Sequence, residues 1–425
     1  MAQKTSPAAP ANPRQETPRK KPVPPVQSPH GDAQETSYYA KVASRYRTAK
    51  YLTVFLLVLL LLGGLIMGSG SITYANFVYL LRDLDVVFDA VGGTDADILH
   101  YSTAEDRQYV AYRDGLAMVS HDGVQIYNSG GKRTLEDDPD YSDPRAVASD
   151  RYLLTYDRSG GGYTLYNSLS AVYSDTLDYP IHGAAISDSG YYALITETRE
   201  YTSAVLLYNK NCKLVNRYLK DKYVIDAAIS DDGDRIAVVS VSSSGGDYLA
   251  EFQLCEPGKD SAIATLSISG VFPMAVRFFS DNSFAVLCDA AIYFYNDDGE
   301  LLKTLSFTDP APERFALKGK YAALVYPANV MGTESRICIF HSDGSTASET
   351  VVEGGAQALA VAGDAVWLMT ERLLFRVEPD GEVTSMSHGG GAKALLAVEE
   401  DILICTPASA RRCRASDLTG PDAET

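Results

Sequence analysis

The sequence predicts an all-β protein, a β-propeller of eight four-stranded blades preceded by one transmembrane helix. Three observations predict it. A short phrase, an apolar pair, a polar Asp/Gly corner and an apolar run, recurs beyond residue 98 at a spacing of about 42 residues, within the range of propeller blades. A second signature, strand, Asx-Gly turn, strand, follows several of the copies. Ahead of them all stands an uncharged apolar run, YLTVFLLVLLLLGGLIMG, at residues 51–68.

The elements follow in chain order. The first fifty residues carry nine Lys or Arg against three acids, whereas the rest carries 28 bases and 52 acids. So acidic a body excludes nucleic acid as a partner, because phosphate binding needs clustered cations. Residues 1–36 hold eight of the 19 prolines and almost no large apolar side chains. Such a segment buries too little surface to offset its ordering entropy, so residues 1–50 read as a disordered, Pro-rich, basic cytoplasmic tail. Its last part, SYYAKVASRYRTAK, is aromatic and basic, as suits a lipid headgroup layer.

As a helix, the eighteen residues of the apolar run span about 27 Å, close to the thickness of a bilayer core. Residues 51–70 are therefore expected to cross the membrane, with the lipid bilayer as their partner. Residues 71–83, where Tyr74, Phe77, Val78 and Leu81 recur at helical spacing, form a juxtamembrane stalk. The basic flank places the N-terminus in the cytoplasm and residues 84–417 outside. The small-x-small stretch Thr73-Tyr74-Ala75 leaves cleavage of the run as a signal peptide as the alternative. Residues 418–425 are a polar, disordered tail.

Within 84–417 the phrases AAISDSGYYALIT (184–196) and AAISDDGDRIAVVS (227–240) align directly. RAVASDRYLLTY (145–156), AVRFFSDNSFAVLC (275–288), RFALKGKYAALVY (314–326), ALAVAGDAVWLMT (358–370) and ALLAVEEDILICT (394–406) keep the rhythm. ILHYSTAEDRQYVAY (98–112) keeps it loosely. Eight starts imply eight blades, with seven as the alternative. The last unit supplies only three strands, so LDVVFDAV (84–91) is expected to join it as the outer strand and close the ring.

The phrase S-D-D-G-D-R-I-A-V-V at 230–239 resembles the turn of the WD40-like and TolB-like propellers. The whole layout, basic tail, one helix, then blades, resembles an uncharacterised bacterial family of membrane-anchored β-propellers within the WD40-like, TolB-like and quinoprotein-like superfamily. That resemblance covers nearly the entire chain and implies an extracytoplasmic propeller without an assigned activity.

Catalytic, cofactor-binding and metal residues are not expected. Asp231, Asp232 and Asp234 lack the alternating spacing and distal Glu of a Ca²⁺ loop, and the corner varies to Asp188-Ser189-Gly190, Asp281-Asn282 and Lys318-Gly319. It reads as a turn, in which Asp and Ser bond local N–H groups and Gly supplies a positive φ. No G-x-S-x-G, H-E-x-x-H or C-x-x-C occurs, and one Trp cannot supply the repeated docking motifs of a quinoprotein dehydrogenase. The protein is thus not expected to be an enzyme. Of the six cysteines, Cys405 and Cys413 fall on adjacent strands, and the sequence leaves open whether they form a disulfide.

The expected binding face carries the loops that lead into each inner strand, together with the loops between second and third strands. Its candidate residues are Tyr179, His182, Arg199, Tyr201, Tyr223, Asp226, Phe272 and Arg314, with the loop from Asn329 to Glu334 beside them. Mixed aromatic, proline and charged character suits protein recognition. The expected function is a non-catalytic protein-protein binding or scaffold module at the cell envelope, its protein partner unknown. The alternative is a sensor that takes a small ligand or glycan at the channel mouth.

Overall fold

The structure, a computed structural model, describes residues 50–58, 98–103, 106–259, 261–307 and 311–418. The chain divides into two units, Met1–Asp83 and Leu84–Thr425. In the first, residues 50–58 are helical, and apolar side chains from Tyr51 to Val58 are exposed. Among the described residues no helix is long and apolar enough to cross a membrane. The expected tail to residue 49, the rest of the apolar run, the stalk, the strand at 84–91 and residues 419–425 lie outside the described residues.

The second unit is a ring of eight antiparallel sheets of four strands each. Seven blades are continuous in sequence, at 108–137, 144–176, 181–220, 223–269, 273–306, 314–353 and 358–387. We call their strands a to d from the channel outwards. The a strands contact one another in a closed cycle, from blade 1 round to blade 8 and back. Seven of the eight blade starts fall within four residues of the start of a sequence phrase.

Strand character follows from position. The b strands, such as Tyr192–Thr196, Phe284–Cys288 and Ala365–Met369, are buried along their whole length. Neighbouring blades cover both faces of each sheet, so these strands read as unbroken apolar runs. The outer strand Ala262–Ser269 alternates half-buried and exposed residues. Eight apolar clusters hold the ring, one at each blade interface. Most of the abundant tyrosine is spent there: Tyr192 and Tyr208 stack at 4.9 Å between blades 2 and 3.

The polar corner that opens the repeat is a turn. Gly233 has φ 80°, the Asp234 N–H donates to Asp232 Oδ1 at 2.9 Å, and the Arg235 N–H donates to Ser230 Oγ at 3.0 Å. Burial works against the charge of Asp232. Hydrogen bonds from Ser230, the Asp234 N–H and Asn282 outweigh it and hold the carboxyl below its usual range.

Closure differs from the expectation in its strand. Blade 8 takes three strands from 394–413, and its outer strand is Ile98–His100, paired through Ile98↔Arg411, Leu99↔Ala410 and His100↔Ser409. ILH therefore belongs to the last blade, and blade 1 begins ten residues later at Gln108–Tyr112. A three-residue strand carries almost no local signal, whereas the sequence of 84–91, which lies outside the described residues, looks like a better strand.

The structure answers the open question of Cys405 and Cys413. All six cysteines are free and buried. Cys405 pairs across the hairpin with Ala410 and Cys413 with Ile402, so the two thiols project from opposite faces of one sheet. Cys405 faces blade 1 and Cys413 faces blade 7. Burial pushes their thiols up to about 12 and about 11.

If Leu99, 2% exposed at the junction of blades 8 and 1, anchors the closing strand, Leu99→Ala should cost about 2–4 kcal/mol of unfolding free energy in urea. Ile98→Ala, at a side chain 49% exposed, should cost under about 0.5 kcal/mol. Equal losses would place the anchor elsewhere.

Candidate functional site

All eight candidate residues lie on one face of the ring or on the strands that rise to it, because d–a and b–c loops emerge on the same side of an antiparallel blade. Tyr179 precedes the a strand of blade 3, where the Thr196 hydroxyl donates to the Pro180 carbonyl at 2.8 Å. Arg199 tops the b–c turn of the same blade and is exposed, and the Tyr201 N–H closes that turn on Thr198 Oγ1 at 3.1 Å. Tyr223 is 67% exposed. Phe272 is pinned by reciprocal hydrogen bonds with Asp289, and its ring meets Tyr248 edge-on at 5.3 Å.

Two of the candidates are struts between blades. Asp226 accepts from the Val276 N–H at 3.0 Å and pairs with Arg277 at 2.5 Å, which ties the inner strands of blades 4 and 5. Arg314 donates through Nε to the Gln357 carbonyl at 3.1 Å, which ties blade 6 to blade 7. Gln108 does the same between blades 1 and 2 through both backbone groups of Ala146. A carboxylate so engaged holds strands together and is poorly placed to act as a base.

A local irregularity marks one sector of the face. The a strands of blades 3, 4 and 5 each carry a register shift at their leading end, at Ile181/Gly183, Val224/Asp226 and Pro273/Ala275. The a strands of the other five blades pair without one. A bulge inserts one residue and re-aims side chains at a rim. The inserted residues are His182, Ile225 and Met274, of which His182 and Met274 are exposed. Sequence reasoning singled out His182 but not the bulge that presents it. The available signals were the Gly and Pro at strand starts, in IHGAAI and PMAVRF.

Blade 4 adds a wall. Its b and c strands, Ile236–Ser244 and Asp247–Cys255, run nine residues each against five in the corresponding strands of blade 5. The extra four residues carry the hairpin about 13 Å further. Gly245 and Gly246 turn it with φ of 65° and 97°, the paired positive values that a two-residue hairpin needs. Tyr248 stands on this hairpin, 53% exposed. At its base Glu251 Oε1 meets Lys220 at 3.1 Å and Oε2 meets Lys222 at 2.5 Å, so one carboxylate locks the hairpin to the loop before Tyr223.

Exposed apolar side chains gather in this sector and the next. Besides Tyr223 and Tyr248 they are Met274, Phe315, Val330 and Met331, the last two on the b–c turn of blade 6 that Asn329 and Thr333 close. Sequence reasoning named that loop but missed Tyr248 and Glu251, which sit inside what reads as an ordinary strand pair. Among the described residues no group of His, Cys, Asp and Glu is arranged to hold a metal ion.

Burial works against the charge of Glu251, but the hydrogen bonds from Lys222 and Lys220 prevail and hold its carboxyl below the usual value. A lowered carboxyl contributes stability above the unfolded-state value and loses it as pH falls through the folded one. Glu251→Gln should therefore lower unfolding free energy by roughly 1–3 kcal/mol at pH 7. The gap should shrink as the pH drops below about 4.5, the usual glutamate range. A gap that persisted unchanged at pH 3 would remove the ion pairs as its cause.

Comparison with curated proteins finds no match to this chain. A family model described as a family of unknown function (DUF5711) matches residues 95–385, from just before the closing strand to the last strand of blade 7. That match takes in more than half of the 425 residues, so the chain belongs to the DUF5711 family of unknown function.

Proposed function

We propose that the protein is a single-pass membrane protein, anchored by residues 51–70, that displays its propeller outside the cytoplasm as a non-catalytic platform for a partner protein at the cell envelope. The observation that carries the reading is the sector of blades 4 to 6. Tyr223, Tyr248, Met274, Phe315, Val330 and Met331 expose apolar surface on one face. Charged side chains, among them Arg199, Lys222 and Arg314, stand on the same face. Apolar surface gathered inside a polar rim is the usual composition of a protein interface. Rigid presentation supports the same reading, since the struts at Asp226 and Arg314 fix the strands beneath the patch. The apolar run at 51–68 supports the anchor through its length and its lack of charge.

The test is cross-linking in intact cells, followed by purification from the membrane fraction and mass spectrometry. Wild type is compared with the triple variant Tyr223→Ser, Met274→Ser, Met331→Ser. These exposed positions should each change stability by under about 0.5 kcal/mol. A stoichiometric envelope protein recovered with wild type and lost with the triple variant is the expected result. Equal recovery with both, or a wild-type chain found in the soluble fraction, would overturn the proposal. An unchanged glycan-array signal would add nothing to it, whereas a glycan lost only with the variant would move the face to the sensor alternative.

A further inference from the structure

Ala262–Ser269, the outer strand of blade 4, ends its sheet, and among the described residues no strand lies beyond it. Its sequence, AIATLSIS, holds no charge and no proline over eight residues. Five of the other seven outer strands carry at least one Lys, Arg, Asp or Glu. The two that carry none, Val383–Ser387 and Ile98–His100, have five and three residues. Charge, proline and shortness are devices that keep an exposed edge from pairing with another chain, and this strand has none of them. Its register shift is confined to the start, where Ala262 lies opposite Cys255.

The direction of the free backbone groups follows from the ladder. Ser269 lies opposite Leu249, and one step on the Gly270 N–H donates to the Tyr248 carbonyl at 2.8 Å. Bonded and non-bonded pairs alternate along an antiparallel ladder, so Ala264, Leu266 and Ile268 bond inwards to strand c. Thr265, Ser267 and Ser269 turn their N–H and C=O groups outwards. The regular part of this edge is about 20 Å long at roughly 3.4 Å per residue. Side chains alternate with the backbone: Thr265, Ser267 and Ser269 are exposed, while Ala264, Leu266 and Ile268 are half-buried against the core between blades 4 and 5.

A second copy of the same strand fits this edge. Turned about a two-fold axis perpendicular to the sheet, it pairs antiparallel and keeps each set of side chains on its own face. Ala264, Leu266 and Ile268 then meet apolar residues, Thr265 and Ser267 meet exposed ones, and no charge faces its own copy. The same rotation of Leu214–Lys220 or Thr346–Glu353 would gather two arginines and two lysines, or four glutamates, along one seam. Like charges set opposite each other destabilise a strand pair. A neutral edge matters all the more in a chain of net charge −18, whose copies otherwise repel.

We infer that blade 4 pairs edge to edge with blade 4 of a second copy of this chain, through the outer strand Ala262–Ser269, as one continuous antiparallel sheet across a two-fold axis. The reading does not depend on the proposed platform, which uses the loops of one face.

The test is sedimentation of the purified full-length chain in mild detergent. Wild type is expected to dimerise with a Kd on the order of 10 μM or tighter. Thr265→Lys sets like charges across the seam, and Ser267→Pro removes an outward N–H that the single chain does not use. Each should weaken the dimer about tenfold or more, with a melting temperature of the dilute chain close to that of wild type. Leu266→Pro, one residue away, removes an inward N–H and should melt markedly lower. Thr265→Cys combined with Ser267→Cys should cross-link two chains under mild oxidation, because a two-fold seam centred on this stretch sets one of them opposite a cysteine of the second copy. Lys303→Cys, on the outer strand of blade 5, should not cross-link. A wild-type chain still monomeric at about 100 μM would overturn the inference. So would a wild-type Kd in both dimer variants, or Lys303→Cys cross-linking as efficiently as the paired cysteines. Equal melting of Leu266→Pro and Ser267→Pro would reverse the assigned direction of the edge and overturn it too.

Discussion

A ring of sheets is held by its last seam, and here the seam is three residues long. The strand Ile98–His100 pairs with Ser409–Arg411 across some three hundred residues of chain, and the apolar cluster at the junction of blades 8 and 1 packs behind it. Neighbouring groups reinforce it: the Tyr101 N–H donates to the Ala408 carbonyl, and the hydroxyls of Tyr101 and Tyr109 both reach the Thr406 carbonyl. Seven interfaces join sheets that are neighbours in sequence. The eighth joins the two ends, so it carries the loop-closure cost of the whole domain. The reward is a sheet system in which every blade is covered on both faces.

Closure leaves the two faces with different tasks. On one, a–b turns bond to their neighbours around the channel. The Asp150 N–H donates to Asp188 Oδ1, the Ser189 N–H to the Asp231 carbonyl, the Ser280 N–H to Gly319 and the Gly363 N–H to Glu399. Carboxylates crowd there. Burial raises the Asp188 and Asp231 carboxyls, and the charges of nearby aspartates add to the rise at both. On the other face the d–a and b–c loops vary in length, and bulges and an extended hairpin break the regularity of blades 3 to 5. Variation sits where the core does not restrain it.

The fold was legible because blade burial imposes a pattern that local sequence must show. Strands such as Tyr192–Thr196 need continuous apolar runs, and the corner at Ser230–Arg235 needs Asp, Ser and Gly for its own hydrogen bonds. Both features are written within a dozen residues. The closing strand was not legible, since its stability comes from partners three hundred residues away and three residues show no period. The candidate face was legible as a face, while the roles on it were mixed. Tyr223 is exposed as expected, but Asp226 and Arg314 serve as struts, because their partners Arg277 and Gln357 lie a whole blade downstream.

The most direct measurement is native-state hydrogen exchange read residue by residue across blade 8. Exchange reports the free energy of opening at each amide, from near zero in loose segments to the global value in the core. With the ring closed by Ile98–His100, amides of that strand and of Ser409–Cys413 should exchange as slowly as those of the outer strands of blades 3 and 4. Exchange of Ile98–His100 at the rate of free chain, with blades 2 to 6 still protected, would show that the ring does not depend on this seam.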